Sequence, residues 1–121
     1  MNLAQLRNYF TTKAGSFEDF PFDETTMVIK IQNKMFALIA LEKDPLEISL
    51  KCDPYLAESF RTQYKAVSAG YHLNKRHWNS IVLDGSIPNK VVLEMIDHSY
   101  QLVFDKLTKK NKAEIEKLIE E

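Results

Sequence analysis

The feature that most constrains this chain is a change of hydrophobic period between residues 26 and 51. Leu46-Glu47-Ile48-Ser49-Leu50-Lys51 alternates strictly between apolar and polar residues, the pattern of a strand with one buried face. Upstream, Thr26 to Ile31 is rich in β-branched residues, and Asn33-Lys34 separates it from the apolar run Met35 to Leu41. Asn tolerates positive φ, so the two runs predict a hairpin closed by a tight turn. Three antiparallel strands follow, and a sheet with one apolar face must be covered on that face.

The flanking segments supply the cover. Leu3, Leu6, Tyr9 and Phe10 share one helical face in a short first helix that ends at Gly15. Ser16 to Thr25 reads as a connection whose Phe17, Phe20 and Phe22 are expected to tie it to the core. Asp53-Pro54 is a helix start, an acidic N-cap before proline, and Leu56, Phe60 and Tyr64 then recur every four residues. Asn79 to Leu83 predicts a further strand running into the turn Asp84-Gly85. Pro88 opens the longest helix, with Val92, Met95, Ile96, Val103 and Leu107 on one face, and Thr108 caps a last amphipathic segment holding Ile115, Leu118 and Ile119. The length of 121 residues fits one domain over 1–121. The predicted class is α+β, an antiparallel sheet with helices packed on one face. Its core should include Met27, Ile29, Leu46, Ile48, Leu50, Phe60, Val92, Met95 and Ile96.

Several function classes lose support at once. With 45% hydrophobic and 27% charged residues, the chain is neither disordered nor a disulfide scaffold. Cys52 is its only cysteine, so no intrachain disulfide forms, and a reducing, cytoplasmic setting is expected. The N-terminus lacks the basic start and apolar run of a signal peptide, and no stretch reaches a membrane span, so no membrane partner is expected. Gly15, Gly70 and Gly85 are isolated and form no phosphate loop. Asp97-His98-Ser99 holds the residue types of a hydrolase triad, but consecutive helical positions point about 100° apart. His72 and His77 would need a carboxylate from elsewhere to hold a metal. No catalytic residue, metal or cofactor is expected, and Cys52 reads as a small buried thiol.

The net charge of −1 hides an uneven distribution. Between Glu58 and Asp84 there is no acid, while Arg61, Lys65, His72, Lys75, Arg76 and His77 alternate with Tyr64, Tyr71 and Trp78. Cations beside flat rings are the equipment for holding phosphates and stacking bases. The same stretch also reads as an ordinary solvated loop. In that reading Trp78 anchors the loop or core, and Asn74 and His72 satisfy the backbone around them. Lys75 and Arg76 are adjacent cations with no evident structural duty.

Gly70-Tyr71-His72-Leu73-Asn74-Lys75-Arg76-His77-Trp78-Asn79, with Leu83-Asp84-Gly85, Pro88 and Ser99-Tyr100, resembles the signature of the bacterial MmcQ/YjbR-like family. The resemblance extends through Phe20-Pro21-Phe22, the strand from Val28, Asn33-Lys34-Met35-Phe36-Ala37 and Ser49-Leu50-Lys51, covering about residues 1 to 107. Asn33 stands where the family more often has glycine. The resemblance implies a fold similar to frataxin and CyaY, and DNA binding through a double-wing arrangement. Carried over by position, the motif contributes His72, Asn74, Lys75, His77 and Trp78, with Arg76 an added cation and Lys65 nearby. Frataxin's iron chemistry does not carry over, because Asn2 to Thr12 holds Arg7 and no carboxylate. Ser99-Tyr100, part of the same signature, is expected to reach a sheet or loop carbonyl, toward residues 72–78. The expected function is a DNA-binding or regulatory module without catalytic activity. The alternative is a protein-interaction or small-ligand module that uses the same loop as a pocket wall.

Overall fold

A computed structural model describes residues 1–70 and 73–120. Six strands form one antiparallel sheet in the order β1-β2-β3-β4-β6-β5: β1 Ser16–Asp19, β2 Thr26–Ile31, β3 Lys34–Ala40, β4 Glu47–Lys51, β5 Val67–Ala69 and β6 Trp78–Val82. Four helices accompany it: α1 Leu3–Thr11, α2 Pro54–Gln63, α3 Asn89–Asp105 and α4 Lys109–Glu120.

Register explains which face is buried. Met27 pairs with Ile39, Ile39 with Ile48, and Ile48 with Ile81, so these four side chains line up across one face. Ile29, Ala37 and Leu50 continue the row. Leu6, Phe10, Val92, Met95, Ile96, Val103 and Ile115 of the helices close over it in a single core. Leu46 and Phe60 pack at its margin. The α+β class with helices on one sheet face is therefore the observed architecture.

The caps that start the helices follow from sequence. Asn2 and Gln5 form a reciprocal capping box on α1. The Asp53 carboxylate accepts the N–H groups of Tyr55 and Leu56, with Pro54 at the first turn of α2. The Thr108 hydroxyl accepts the Asn111 N–H at the start of α4. Among the described residues, no helix is long and apolar enough to cross a membrane.

Four expectations are corrected. Ser16 to Thr25 is not wholly a connection, because residues 16–19 form edge strand β1 against β2. Its phenylalanines do not enter the core. Phe17 pairs opposite Lys30 on the face away from the helices, and Phe22 is 64% exposed. Strand β5 lay hidden in a three-residue stretch too short for periodicity to register. In the β2–β3 turn the positive φ (+53°) falls on Gln32 rather than Asn33. Finally, α2 buries Ala57 while Leu56 stays exposed, and α4 buries Ile115 but leaves Leu118 and Ile119 outside. A short helix on a small core covers it with about one residue per turn, so the rest of an apolar stripe overhangs into solvent.

Candidate nucleic-acid interface

The segment leading into β6 is held by side chains that the sequence presents as ordinary polar residues. Asn74 accepts the Arg76 N–H through its side-chain oxygen at 3.0 Å, an Asx turn that reverses the chain before His77. The His77 carbonyl accepts the Cys52 N–H at 2.8 Å, and the His77 N–H donates to the Asn74 carbonyl. Arg61 reaches across from α2. Its Nε donates to Asn79 Oδ1 at 2.7 Å, and its Nη2 donates to the Trp78 carbonyl at 3.2 Å and to the Lys75 carbonyl. Asn79 completes the arrangement by donating to the Ala57 carbonyl. Arg61 is thus a clamp on the backbone of residues 75–79, and its charge is engaged there.

This clamp leaves Lys75 and Arg76 at the tip, both exposed, and among the described residues neither forms an ion pair. Lys65 sits elsewhere. Val67 pairs with Ile81 and Ala69 with Asn79, so Lys65 flanks the far end of β6 from the residues that precede Trp78. Four strand steps separate those ends by about 13 Å. Trp78 is 7% exposed and His77 half-buried. The expectation placed on His72, like that on Tyr71, lies outside the described residues. Of the candidate set, the structure brings Asn74, Lys75, Arg76, His77 and Trp78 into one segment and leaves Lys65 apart.

Trp78 is tied to its surroundings by close approach. The Gly70 N–H donates to the Trp78 carbonyl at 2.8 Å, and a Cβ on Gly70 would lie 2.8 Å from the Trp78 Cβ. A glycine is required here for contact rather than for backbone conformation. Across the sheet, Trp78 pairs with Lys51 and lines a cleft of about 380 Å³ with Asn33, Lys34, Met35, Lys51, Val103 and Lys106. Sequence reasoning missed these lysines as a group. They come from three separate elements, and no local spacing signals their convergence.

The face of the sheet away from the helices carries a second cavity, about 390 Å³, lined by Phe22, Thr26, Leu38, Ala40, Ser49, Leu73 and Ser80 among others. Leu73, next to the Asx turn of Asn74, contributes to its wall. The Ser49 and Ser80 hydroxyls lie 3.2 Å apart on its floor.

The Ser99-Tyr100 pair does not reach toward residues 72–78. The Ser99 hydroxyl donates to the Phe36 carbonyl at 2.5 Å and accepts the Lys51 N–H at 2.9 Å, bridging β3 and β4. The Tyr100 hydroxyl donates to the Ala14 carbonyl. It is His98 that approaches this end, accepting the Asp53 N–H at Nε2. Asp97 accepts from the Tyr9 hydroxyl and pairs with Lys13, so the consecutive acid, histidine and serine each serve different partners. Burial pushes the Cys52 thiol up to about 11, with Asp53 adding to the shift and Arg61 opposing it. Among the described residues, no three His, Cys, Asp or Glu side chains are grouped to hold a metal ion.

A family model described as YjbR matches residues 11–102, most of the chain and all of the segment just described. The chain belongs to the YjbR family. It is 35% identical over 101 residues to the uncharacterised protein YjbR of Escherichia coli (strain K12), covering 84% of this chain and 86% of that protein. It is also 31% identical over 96 residues to the uncharacterised protein YbdF of Escherichia coli O157:H7, covering 79% of each. Among solved structures, Deinococcus radiodurans protein DR2400 superposes with a TM-score of 0.90 at 38% identity, covering 94% of this chain and 87% of that one. A Pseudomonas syringae protein superposes with a TM-score of 0.72 at 28% identity, covering 84% and 98%. The residues matched by the family model include the segment before β6 and the lining of the cavity on the open sheet face, whereas the cleft beside Trp78 reaches past them through Val103 and Lys106.

Proposed function

We propose that this YjbR-family protein is a cytoplasmic DNA-binding or regulatory module rather than an enzyme, and that it holds phosphates with the tip of the loop before β6. The observation that carries the reading is Arg61: one cation is used to fix the backbone from which two others, Lys75 and Arg76, project without carboxylate partners among the described residues. Cations on a backbone already fixed lose less conformational entropy on meeting a phosphate than cations on a mobile loop. The dispersal of Asp97, His98 and Ser99 to unrelated partners, none shared, supports a binding role over hydrolysis. Binding to duplex and single-stranded DNA, measured across a range of salt, tests it. Affinity should fall steadily with salt, and no binding at low ionic strength would overturn it.

A second reading, a small-ligand module, is favoured by one observation: Leu73 of the same loop walls the cavity on the open sheet face. That cavity has the size and mainly apolar lining of a ligand site with a few polar groups.

A further inference from the structure

The cleft beside Trp78 concentrates positive charge in a chain with a net charge of −1. Lys34 opens β3, Lys51 ends β4 and Lys106 caps the C-terminus of α3, yet all three line one cavity of about 380 Å³. Among the described residues none of them forms an ion pair. Folding thus brings together three ammonium groups whose mutual repulsion opposes it.

The surroundings sharpen the point. The Lys51 ammonium is held below its usual range by burial first and then by the charges of Lys106 and Lys34. Asn33 adds an amide at the rim, while Met35, Val103 and Trp78 supply apolar wall. A site where like charges converge and are partly desolvated gains most from a bound anion, because each ammonium is stabilised by it and each weakened repulsion adds to the gain.

We propose that the cleft lined by Lys34, Lys51, Lys106 and Trp78 binds a phosphomonoester. Charge selects that class. A phosphomonoester carries about −1.5 to −2 at pH 7 and offers three strong acceptor oxygens, one for each ammonium, whereas a backbone phosphodiester carries a single charge. The phosphate belongs either to a small phosphorylated molecule or to the phosphorylated end of a strand. The site stands on its own lining and not on Lys75 and Arg76, so it holds whether or not the loop tip engages DNA.

Trp78 is the only tryptophan, so its emission reports on the cleft directly. The experiment titrates the whole chain, at ionic strength held constant with sodium chloride, with inorganic phosphate, a nucleoside monophosphate, and one oligonucleotide bearing either a 5′-phosphate or a 5′-hydroxyl. A saturable change with at least one phosphomonoester is expected. Lys51→Met should weaken it at least tenfold, and Lys106→Ala, at an exposed helix end, should weaken it severalfold with an unchanged melt. The double variant Lys75→Ala, Arg76→Ala should bind inorganic phosphate as the parent does. Equal saturation by phosphate, nucleotide and phosphorylated strand assigns the site to small molecules. Saturation by the phosphorylated strand alone assigns it to strand ends. The proposal is overturned if no phosphomonoester saturates the signal, if the 5′-hydroxyl strand matches the 5′-phosphorylated one, or if Lys51→Met and Lys106→Ala both bind as the parent does. Loss of phosphate binding in the loop-tip double variant alone would also overturn it, and would move the site to the loop.

Discussion

The Arg61 guanidinium and the Asn79 side chain meet at 2.7 Å, joining α2 to a buried position of β6. Arg61 also serves the carbonyls of Lys75 and Trp78. Arg61→Ala therefore leaves a buried amide oxygen and the Lys75 carbonyl without this donor, while the Trp78 carbonyl keeps the Gly70 N–H. The expected loss is about 1 to 3 kcal/mol, the cost of an unsatisfied buried polar group, read from a urea melt. Arg61→Lys should recover only part of it, since one ammonium cannot reproduce the planar fork that reaches three acceptors. A melt unchanged in Arg61→Ala, with DNA binding lost, would make Arg61 a phosphate contact instead of a clamp.

Gly70→Ala tests the close approach that seats Trp78. The added Cβ would lie 2.8 Å from the Trp78 Cβ and 3.2 Å from its carbonyl oxygen. Neither atom is the far end of a flexible side chain. Overpacking of this kind costs about 1 to 3 kcal/mol, and the sole tryptophan should shift its emission. Parent-like emission together with a parent-like melt would contradict the stated packing.

Cys52 should be unreactive in the folded protein. Its thiol, buried and pushed up to about 11 from an ordinary 9.0, carries about a hundredfold less thiolate near pH 7 than an unperturbed one, and the thiolate is the attacking species. Iodoacetamide should therefore label the folded chain far more slowly than the urea-unfolded chain. Equal rates in the two states would show that the thiol is neither buried nor perturbed.

These residues also mark how far the sequence could be read. Period and start signals located β2, β3, β4, β6 and the four helices, because alternation, apolar spacing, Asp53-Pro54, Pro88 and Thr108 are local signals. Long-range partners were not legible. Arg61 reads as one more cation in an acid-free segment until its contacts with residues 75–79 are seen. Ser99 was expected to reach a carbonyl, and it does, but on Phe36 in β3. Which carbonyl it meets depends on how α3 lies across the sheet, which no spacing within α3 encodes. The lysine cleft is the extreme case, with Lys34, Lys51 and Lys106 separated along the chain and joined only by the fold.

The loop-tip reading makes a quantitative demand on salt dependence. Each neutralised phosphate of duplex DNA contributes about −0.9 to the slope of log affinity against log salt. Arg61 is engaged by the backbone and Lys65 lies at the far end of β6, so among the described residues of the acid-free segment Lys75 and Arg76 are the Lys and Arg side chains left at the loop tip. Replacing both with Ala should reduce the slope magnitude by up to about two units. The urea midpoint should stay unchanged, because both side chains are exposed and surface substitutions of this kind stay within about 0.5 kcal/mol. Lys65→Ala should leave the slope where it was. Two results would defeat the assignment: a slope that the double variant does not alter, or a slope that Lys65→Ala reduces as much as the double variant does. The second result would place the phosphates along the whole length of β6 rather than at the loop that Arg61 holds.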